Sequence, residues 1–268
     1  MANTASRDRT APQPGDSYVQ SFARGLEVIR SFNAQAPAQT LTEVATRSGL
    51  TRAGARRILL TLQTLGYVEP DGRLYRLTPR ILDLGFAYLS SMPIWNLAEP
   101  VMESLVAQVK ESCSAAVLDA TDIVYVLRVP THKIMSITLG VGSRLPAYCT
   151  SMGRVLLADL PDADMRALLD ASDRQPHTRH TVTDIDALAA RVAQARRQGW
   201  CIVNQELEEG LISMAAPITN GAGRVVAALN ISGQANRTSA RAMQDNLLPA
   251  LLDSARTISR LLGQRGAG

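Results

Sequence analysis

Few side chains in this chain could catalyse a reaction at neutral pH, and their spacing favours none of the common mechanisms. The three histidines are His132, His177 and His180, and the last two lie three residues apart in a loop that contains Pro and Thr. That offset could bring two imidazoles to a metal ion, but no acidic or thiol side chain stands at ligand spacing beside them. A solvent-exposed loop is therefore the favoured interpretation of this pair.

Nucleophilic and paired-carboxylate chemistry are disfavoured as well. No Gly-x-Ser-x-Gly motif is present, and Cys149 has no nearby His that could lower the pKa of its thiol, so core packing is its better interpretation. Glu206, Glu208 and Glu209 form an acidic cluster, but a paired-carboxylate mechanism needs a separation that sequence does not define. A solvated loop is the default for these acids. We expect no enzymatic activity and neither a metal nor another cofactor.

The chemistry that the sequence does favour is anion recognition by arginine. Residues 1–92 contain 11 Arg, no Lys and 7 acidic residues, whereas residues 93–268 contain 17 basic and 17 acidic residues. The whole net charge of +4 thus lies in the first third of the chain. Because DNA is a polyanion, this asymmetry favours a nucleic-acid-binding segment at the N-terminal end, with a chance excess of arginine as the alternative.

Helices joined by a tight turn are predicted to position these arginines. An amphipathic helix is predicted over residues 21–34, and the run Thr40-Leu41-Thr42-Glu43 has the form of a capping box that starts a second, short helix. Gly49 permits a tight turn, and Thr51 can cap a third helix that runs to Leu65. Two short helices across a glycine turn are typical of a helix-turn-helix.

The outward face of the third helix, together with the hairpin that follows it, is predicted to contact DNA. Two short strands around the Asp71-Gly72 turn form a wing, and arginines on the helix and the wing could hold phosphates or base edges. The alternative is that these arginines only solvate a surface, and Leu60 on the outward side fits DNA contact less well. The predicted DNA-contacting residues are Thr51, Arg52, Ala53, Arg56, Arg57, Arg73 and Arg76.

A strongly apolar helix is predicted over residues 79–91, with Pro79 in its first turn. It is too apolar for a free linker. Because DNA half-sites are usually read by paired domains, we hypothesise that it packs against its counterpart in a second subunit. The alternative is that it packs on its own domain.

The rest of the chain is predicted to be an α+β domain, with helices flanking a mostly antiparallel sheet. Gly221 and Gly223 therefore belong to a hairpin turn and not to a phosphate-binding loop. Helices are predicted at residues 96–112, 151–160, 162–171, 185–199 and 238–262, strands at 115–118, 123–129, 134–139, 201–204, 213–218 and 225–231, and a loop at 140–150.

Length and composition bound the organisation of the chain. At 268 residues about two domains are expected. There is no apolar run of about 20 residues, no signal-like N-terminus and no Cys pair, so we expect a protein of the reducing cytoplasm without a membrane span. The predicted parts are a disordered tail at 1–17, a DNA-binding domain at 18–78, a linker helix at 79–92 and an effector-binding domain at 93–268.

Five segments carry a family resemblance. They are Ser-Phe-Ala-Arg-Gly-Leu at residues 21–26, Gly49-Leu50 with Arg57, Arg-Leu-Pro-Ala-Tyr-Cys-Thr-Ser-Met-Gly-Arg at 144–154, Gln-Gly-Trp at 198–200 and Gln-Glu-Leu-Glu-Glu-Gly-Leu at 205–211. With these segments the chain resembles IclR-type transcriptional regulators from about residue 18 to residue 262. Within that family, residues 145–153 and the Asp71-Gly72 wing most resemble activators of protocatechuate and β-ketoadipate pathway genes.

The resemblance implies a winged helix-turn-helix, a linker helix and a GAF-like effector domain, assembled as homodimers or tetramers. The implied partners are double-stranded operator DNA, a small aromatic or dicarboxylic acid and, for an activator, RNA polymerase. Val203 stands where some relatives carry an acid, and Ile212 where aromatic-acid regulators carry Arg, which leaves the exact ligand open. The implied effector-binding residues are Ser151, Met152, Gly153, Val203, Asn204, Ser213, Asn230 and Ser232.

The residues themselves support an anion site at that place. A helix that begins near Ser151 directs free N–H groups outward, and a counter-charge could come from Arg144, Arg154 or Arg128. The alternatives are that Asn230 and Ser232 only satisfy sheet edges, and that Arg154 pairs with Glu206. Three functions stay open at this point: an activator of aromatic-acid catabolism genes, a repressor of another small-carboxylate pathway, and a sensor or enzyme whose N-terminal module mediates protein contacts.

Overall fold

The computed structural model describes residues 15, 17–91, 94–131 and 139–265. The chain divides into two compact units, the first ending at Tyr88 and the second beginning at Leu89. This division falls inside the segment 79–92 that we predicted to be a linker. The predicted disordered tail at 1–17 lies, apart from residues 15 and 17, outside the described residues.

The first unit consists of three helices and a small antiparallel sheet. The helices are α1 (Gln20–Arg30), α2 (Leu41–Arg47) and α3 (Arg52–Thr64). Strands β2 (Val68–Asp71) and β3 (Leu74–Leu77) form the predicted wing, and β1 (Ala38–Thr40) pairs with β3 on its other side, which sequence analysis did not predict. The core of the unit is formed by Val28, Phe32, Val44, Ala45, Ala55, Leu59, Leu62 and Val68.

Local interactions explain why the helices begin and turn where they do. The Thr40 hydroxyl accepts a hydrogen bond from Glu43 N, and the Glu43 carboxylate accepts one from Thr40 N at 2.7 Å, so the predicted capping box is confirmed. The pKa of Glu43 is lowered by the bonds that its carboxylate accepts from Thr40 N and from the Thr40 hydroxyl. Thr51 caps α3 through Gly54 N, as predicted, and Gly49 and Gly72 adopt left-handed φ values of 65° and 62°.

The predicted apolar helix at 79–91 starts as a 3-10 turn, Pro79–Ile81, and continues as α4 (Leu82–Ser90). No residue of α4 is buried. Leu82 and Phe86 are 70% and 69% exposed. The structure therefore does not support the alternative that this helix packs into the core of its own domain.

The second unit is an antiparallel six-stranded sheet with helices on both faces, in the order β6-β5-β4-β9-β8-β7. Its strands are β4 (Ser112–Asp119), β5 (Asp122–Val129), β6 (Arg144–Pro146), β7 (Cys201–Asn204), β8 (Leu211–Thr219) and β9 (Val225–Gln234). Its helices are α5 (Ile94–Val109), α6 (Ser151–Leu157), α7 (Asp162–Ala171), α8 (Ile185–Gln198) and α9 (Ala240–Arg265).

Three differences from the predicted elements stand out in this unit. Strand β6 occupies part of the predicted loop at 140–150, since it pairs with β5 along a sheet edge. Helix α6 ends at Leu157, three residues before the predicted end at residue 160. The strand predicted at 134–139 falls, apart from Leu139, outside the described residues. None of the helices that the structure describes is long and apolar enough to span a membrane.

The sheet separates two hydrophobic layers. Helices α5 and α9 pack on one face, over Cys113, Ile212, Met214 and Ile231 among others. Helices α6 and α8 lie on the other side with Tyr125, Val203 and Ala215. The second layer contains the buried residues around the start of α6, where the predicted effector site lies.

Candidate functional site

Helix α3 presents arginine on the side opposite to its buried stripe. Ala55, Leu59 and Leu62 are buried, whereas Arg56 and Arg57 are exposed. Thr51, Arg52 and Ala53 at the start of the helix are exposed too. Within the described residues no acidic side chain forms an ion pair with Arg52, Arg56 or Arg57, so these guanidinium groups are available to an external anion.

The wing adds two exposed arginines. Arg73 lies in the turn between β2 and β3, and Arg76 lies on β3. Arg76 pairs with Asp71 at 2.8 Å, but both side chains are at least half exposed, so the pair is weak and can exchange for a phosphate. Arg80 is used differently, because its guanidinium lies over the Tyr67 ring, 5.6 Å from the centroid.

A cavity in the second unit lies between the sheet and the start of α6. It is a small space between side chains, part of it open to solvent. Six residues of the predicted effector site border it: Ser151, Met152, Val203, Ser213, Asn230 and Ser232. Arg128, one of the three candidate counter-charges, borders it as well. Sequence analysis did not predict the other lining residues, which are Tyr125, Leu139, Leu145, Cys149, Thr150, Glu206, Leu207 and Leu211.

Hydrogen bonds hold the polar lining in a fixed orientation. Asn230 accepts a bond from Ser114 N at 3.0 Å and donates one to the Ser232 hydroxyl at 2.9 Å. The hydroxyls of Ser151 and Ser213 lie 2.9 Å apart and link α6 to β8. Since β9 lies between β4 and β8, the alternative that Asn230 and Ser232 only satisfy a sheet edge is wrong. These side chains form a preorganised polar wall.

A β-bulge places Arg128 on this wall. Ala115 pairs with Leu127 and Ala116 with Tyr125, so Val126 has no partner residue on β4. In a regular strand, residues three apart point to opposite faces, yet Tyr125 and Arg128 both border the cavity. The extra residue makes this possible because it shifts the alternation by one.

Arg128 is the cationic side chain among the lining residues that the structure describes, and no acidic side chain there pairs with it. Its guanidinium donates to the Ser114 hydroxyl at 3.3 Å. The nearby Tyr125 hydroxyl has its pKa raised to about 12 by burial, against a smaller opposing effect of Arg128. The phenol is thus a neutral donor beside a free positive charge at neutral pH.

Two predicted counter-charges are placed elsewhere, so those predictions are corrected. Arg144 is exposed and pairs with Asp119 at 2.7 Å and with Asp122 at 3.1 Å, and these bonds raise the pKa of its guanidinium. Arg154 is buried against Glu206 and does not border the cavity. Both corrections have the same cause: each guanidinium finds a carboxylate of its own chain.

Two further predicted effector residues do not border the cavity. Asn204 is exposed at the end of β7, opposite Ile212 on β8. Gly153 is packed against the backbone of Ala147 in the loop before α6. Its role is to allow close contact of two segments rather than to touch a ligand.

The pairing of Arg154 with Glu206, which sequence analysis kept as an alternative, is what the structure contains. Two parallel hydrogen bonds of 2.7 and 2.6 Å join the guanidinium to the carboxylate, and the side chains are 1% and 8% exposed. The Arg154 Nε–H donates to the carbonyl of Tyr148, and Val182 N donates to Glu206. Glu206 is therefore buried, and the default of a solvated acidic loop was wrong for this residue.

The residues weighed for catalysis have structural explanations. Burial raises the pKa of Cys149 to about 12 and that of Cys201 to about 11, so both stay thiols at neutral pH. His177 is exposed and stacks on Tyr148 with centroids 6.2 Å apart, His180 is exposed, and His132 lies outside the described residues. No group of metal-binding side chains occurs among the described residues.

Replacing Gly153 by Ala should destabilise the second unit by about 1–3 kcal/mol, because overpacking a tight contact forces backbone shifts. The added Cβ would lie 2.6 Å from the carbonyl carbon of Ala147 and nearer to its carbonyl oxygen. Urea unfolding of the full chain measures this effect. Gly25→Ala is the matched control, since it also lies in a helix but has no heavy atom within 4 Å of the new Cβ. Equal stability of the two variants would contradict the prediction.

Two family models match the chain. The model described as bacterial transcriptional regulator IclR C-terminal matches residues 86–260, and the IclR helix-turn-helix domain matches residues 21–72. The chain is 42% identical over 246 residues to the Pca regulon regulatory protein of Pseudomonas putida, an alignment that covers 91% of this chain and 84% of that relative.

Solved structures are similar over nearly the whole chain. The crystal structure of a chain from Rhodococcus sp. RHA1, assigned as a transcriptional regulator, has a TM-score of 0.82 at 49% identity and covers 91% of this chain and 98% of that one. An IclR homologue from Microbacterium hydrocarbonoxydans, complexed with 4-hydroxybenzoate, has a TM-score of 0.79 at 26% identity, with 90% and 98% of the two chains covered. The fold of both units is thus shared with these proteins.

Proposed function

The chain belongs to the IclR family of bacterial DNA-binding transcriptional regulators, and we propose that it controls aromatic-acid catabolism genes, as an activator, in response to a small carboxylic acid. It acts as a homo-oligomer on double-stranded operator DNA in the cytoplasm. The two units have different roles: α3 and the wing of the first unit bind DNA, and the cavity beside α6 in the second unit binds the effector. No residue is assigned a catalytic role.

The position of Arg128 is the main observation in support of a carboxylic acid as the effector. A buried carboxylate needs a counter-charge, and this guanidinium borders the cavity without a carboxylate of its own among the described residues. Ser213, Asn230 and Ser232 add neutral hydrogen-bonding groups, and Met152, Leu207 and Leu211 add apolar surface. This combination suits a small acid with an apolar body.

The names of the relatives support an aromatic pathway. The Pseudomonas putida relative is a regulator of the Pca regulon, and the Microbacterium homologue was crystallised with 4-hydroxybenzoate. We propose an aromatic or dicarboxylic acid of the same kind for this chain.

Calorimetric titration of the full chain with protocatechuate, 4-hydroxybenzoate and β-ketoadipate tests the proposal. At least one of these acids should bind with a Kd in the micromolar range. The neutral analogue 4-hydroxybenzamide, which keeps the ring and hydroxyl but lacks the carboxylate, should bind at least about tenfold more weakly, since it forfeits a charge-assisted hydrogen bond. Failure of every acid would refute the proposed effector class.

Exposed apolar side chains on α4 support a homo-oligomer. Leu82 and Phe86 lie one turn apart and are 70% and 69% exposed, and Leu84 is 51% exposed. Burial of side chains of this size against a partner contributes about 1.5–3 kcal/mol each. We propose that α4 packs against its counterpart in a second subunit, which would pair the two DNA-binding units on adjacent half-sites.

The double variant Leu82→Lys/Phe86→Lys should shift the chain from dimer or tetramer towards monomer in sedimentation at micromolar concentration. Lysine at a buried interface forfeits the apolar contact and introduces charges that must be desolvated. Val141→Lys, at an exposed apolar residue of the other unit, is the control and should leave the mass unchanged. A wild-type chain that is monomeric with and without DNA would rule out this pairing.

We propose that the segment before α6 couples effector binding to DNA binding. The loop and strand at residues 140–150 lie next to the cavity, and their closure on the ligand would reset the spacing of the paired recognition helices. A regulator of this kind can also stay bound to DNA and change its contact with RNA polymerase. Footprinting with and without the acids above distinguishes these two mechanisms. A changed spacing of the recognition helices alters operator affinity, whereas a changed contact with RNA polymerase does not.

A further inference from the structure

The buried ion pair between α6 and the loop after β7 has an asymmetric position relative to the cavity. Glu206 borders the cavity, whereas its partner Arg154 does not. The guanidinium donates to both carboxylate oxygens, at 2.7 and 2.6 Å, and its Nε–H is taken by the carbonyl of Tyr148. Glu206 thus stands between a buried positive charge and the space that a ligand would fill.

We propose that Glu206 is a specificity-determining residue that covers Arg154 and so makes this end of the cavity select a neutral hydrogen-bond donor over a second carboxylate. The inference rests on the proposed function, because it specifies which acids the cavity accepts. Arg128, on β5 at the opposite side of the sheet order from β7, would hold the first carboxylate. Glu206 would select the chemical group at the other end of the ligand.

The hydrogen-bonding capacity of Glu206 supports a donor as its ligand partner. An ionised carboxylate has about four acceptor sites. Arg154 fills two of them and Val182 N fills a third at 3.2 Å. The remaining site can accept a hydrogen bond from a phenolic hydroxyl. Because that hydroxyl is neutral, its burial there requires no additional counter-charge.

A second ligand carboxylate beside Glu206 would be repelled. Both it and Glu206 are acceptors when ionised, and like charges in a water-poor site repel each other strongly. Arg154 is not free to neutralise it, since Glu206 bonds both of its terminal nitrogens and the carbonyl of Tyr148 accepts its Nε–H. The pair therefore excludes a dianion there, while Arg154 and Glu206 neutralise each other in the protein without ligand.

Two ligands that differ only at the position para to a carboxylate test the proposal: 4-hydroxybenzoate and terephthalate. Their Kd values are measured by calorimetry for the full-length wild type, for Glu206→Gln and for the double variant Arg154→Gln/Glu206→Gln. Glu206→Gln removes the covering charge and leaves Arg154 positive. It should therefore shift the ratio of the two Kd values at least about tenfold in favour of terephthalate. The double variant lacks both the carboxylate that repels terephthalate and the positive charge that attracts it, so its ratio should lie between those of the wild type and Glu206→Gln.

Arg154→Gln keeps the test decisive if Glu206→Gln does not fold, as judged by circular dichroism. It leaves Glu206 negative and unneutralised, so it should shift the same ratio at least about tenfold against terephthalate. If the folded single variants keep the wild-type ratio of the Kd values for 4-hydroxybenzoate and terephthalate, the proposed role of Glu206 is wrong. The proposed function would still stand in that case, provided that 4-hydroxybenzoate binds normally. Absence of binding of both acids to the wild type, together with the failure of the other acids, would instead overturn the proposed function and this inference with it.

Discussion

Arg128→Gln is expected to weaken effector binding by about 2 kcal/mol or more, which corresponds to at least about 30-fold in Kd. Glutamine keeps a hydrogen-bonding amide at the position but removes the charge that borders the cavity. The carboxylate of the ligand would then be buried without a counter-ion. Calorimetric titration with the acid that the wild type binds measures the loss.

Arg144→Gln is the matched control for this variant. Arg144 lies on β6, the strand next to Arg128 on β5, but it is exposed and already paired with Asp119 and Asp122. Because exposed pairs contribute about 0–1 kcal/mol to stability and this one lies outside the cavity, effector affinity should change little. Affinity for the neutral amide should also be similar in wild type and Arg128→Gln. Unchanged acid binding by a folded Arg128→Gln would move the carboxylate site elsewhere in the chain.

Arg56→Ala and Arg57→Ala are each expected to weaken operator binding by about 1–3 kcal/mol, and to leave the fold intact. Both side chains are exposed on α3, opposite to the stripe that includes Leu59 and Leu62, so neither contributes to the core of the first unit. Mobility-shift titrations at several salt concentrations measure the effect. A residue that contacts phosphate should also lower the salt slope by about 1, whereas a residue that reads a base should relax sequence preference at one position.

Arg241→Ala controls for the loss of positive charge as such. Arg241 is 91% exposed on α9 in the other unit and pairs with Asp245, one turn away. It should leave operator affinity within about 0.5 kcal/mol of the wild type. Unchanged mobility shifts for both α3 variants would contradict DNA contact by α3 and favour a protein-contact role for the first unit.

The short-range features of this chain were determined by sequence alone. The capping box of Thr40 and Glu43, the Thr51 cap and the Asp71-Gly72 wing each depend on groups within a few residues, and the structure confirms them. Local backbone geometry decides such features before any tertiary contact forms. The exposed arginine face of α3 follows from the same logic, because helical periodicity assigns buried and outward positions once the helix ends are known.

The composition of the cavity was predictable only in part. Polar residues on alternating positions of β8 and β9 were assigned to one face correctly, since regular strands keep a period of two. Sequence could not choose among three arginines for the counter-charge. Each has the same chemistry, and the choice depends on which carboxylates come near.

Only the tertiary structure decided the electrostatics of the site. The unpaired Val126 turns Arg128 towards the cavity, and sequence periodicity alone assigns that side chain to the other face. Arg154 is neutralised by Glu206, 52 residues further along the chain. A strand register and a long-range ion pair are selected by the packing of the whole domain, because their partners are far apart in sequence and their local propensities do not distinguish the alternatives.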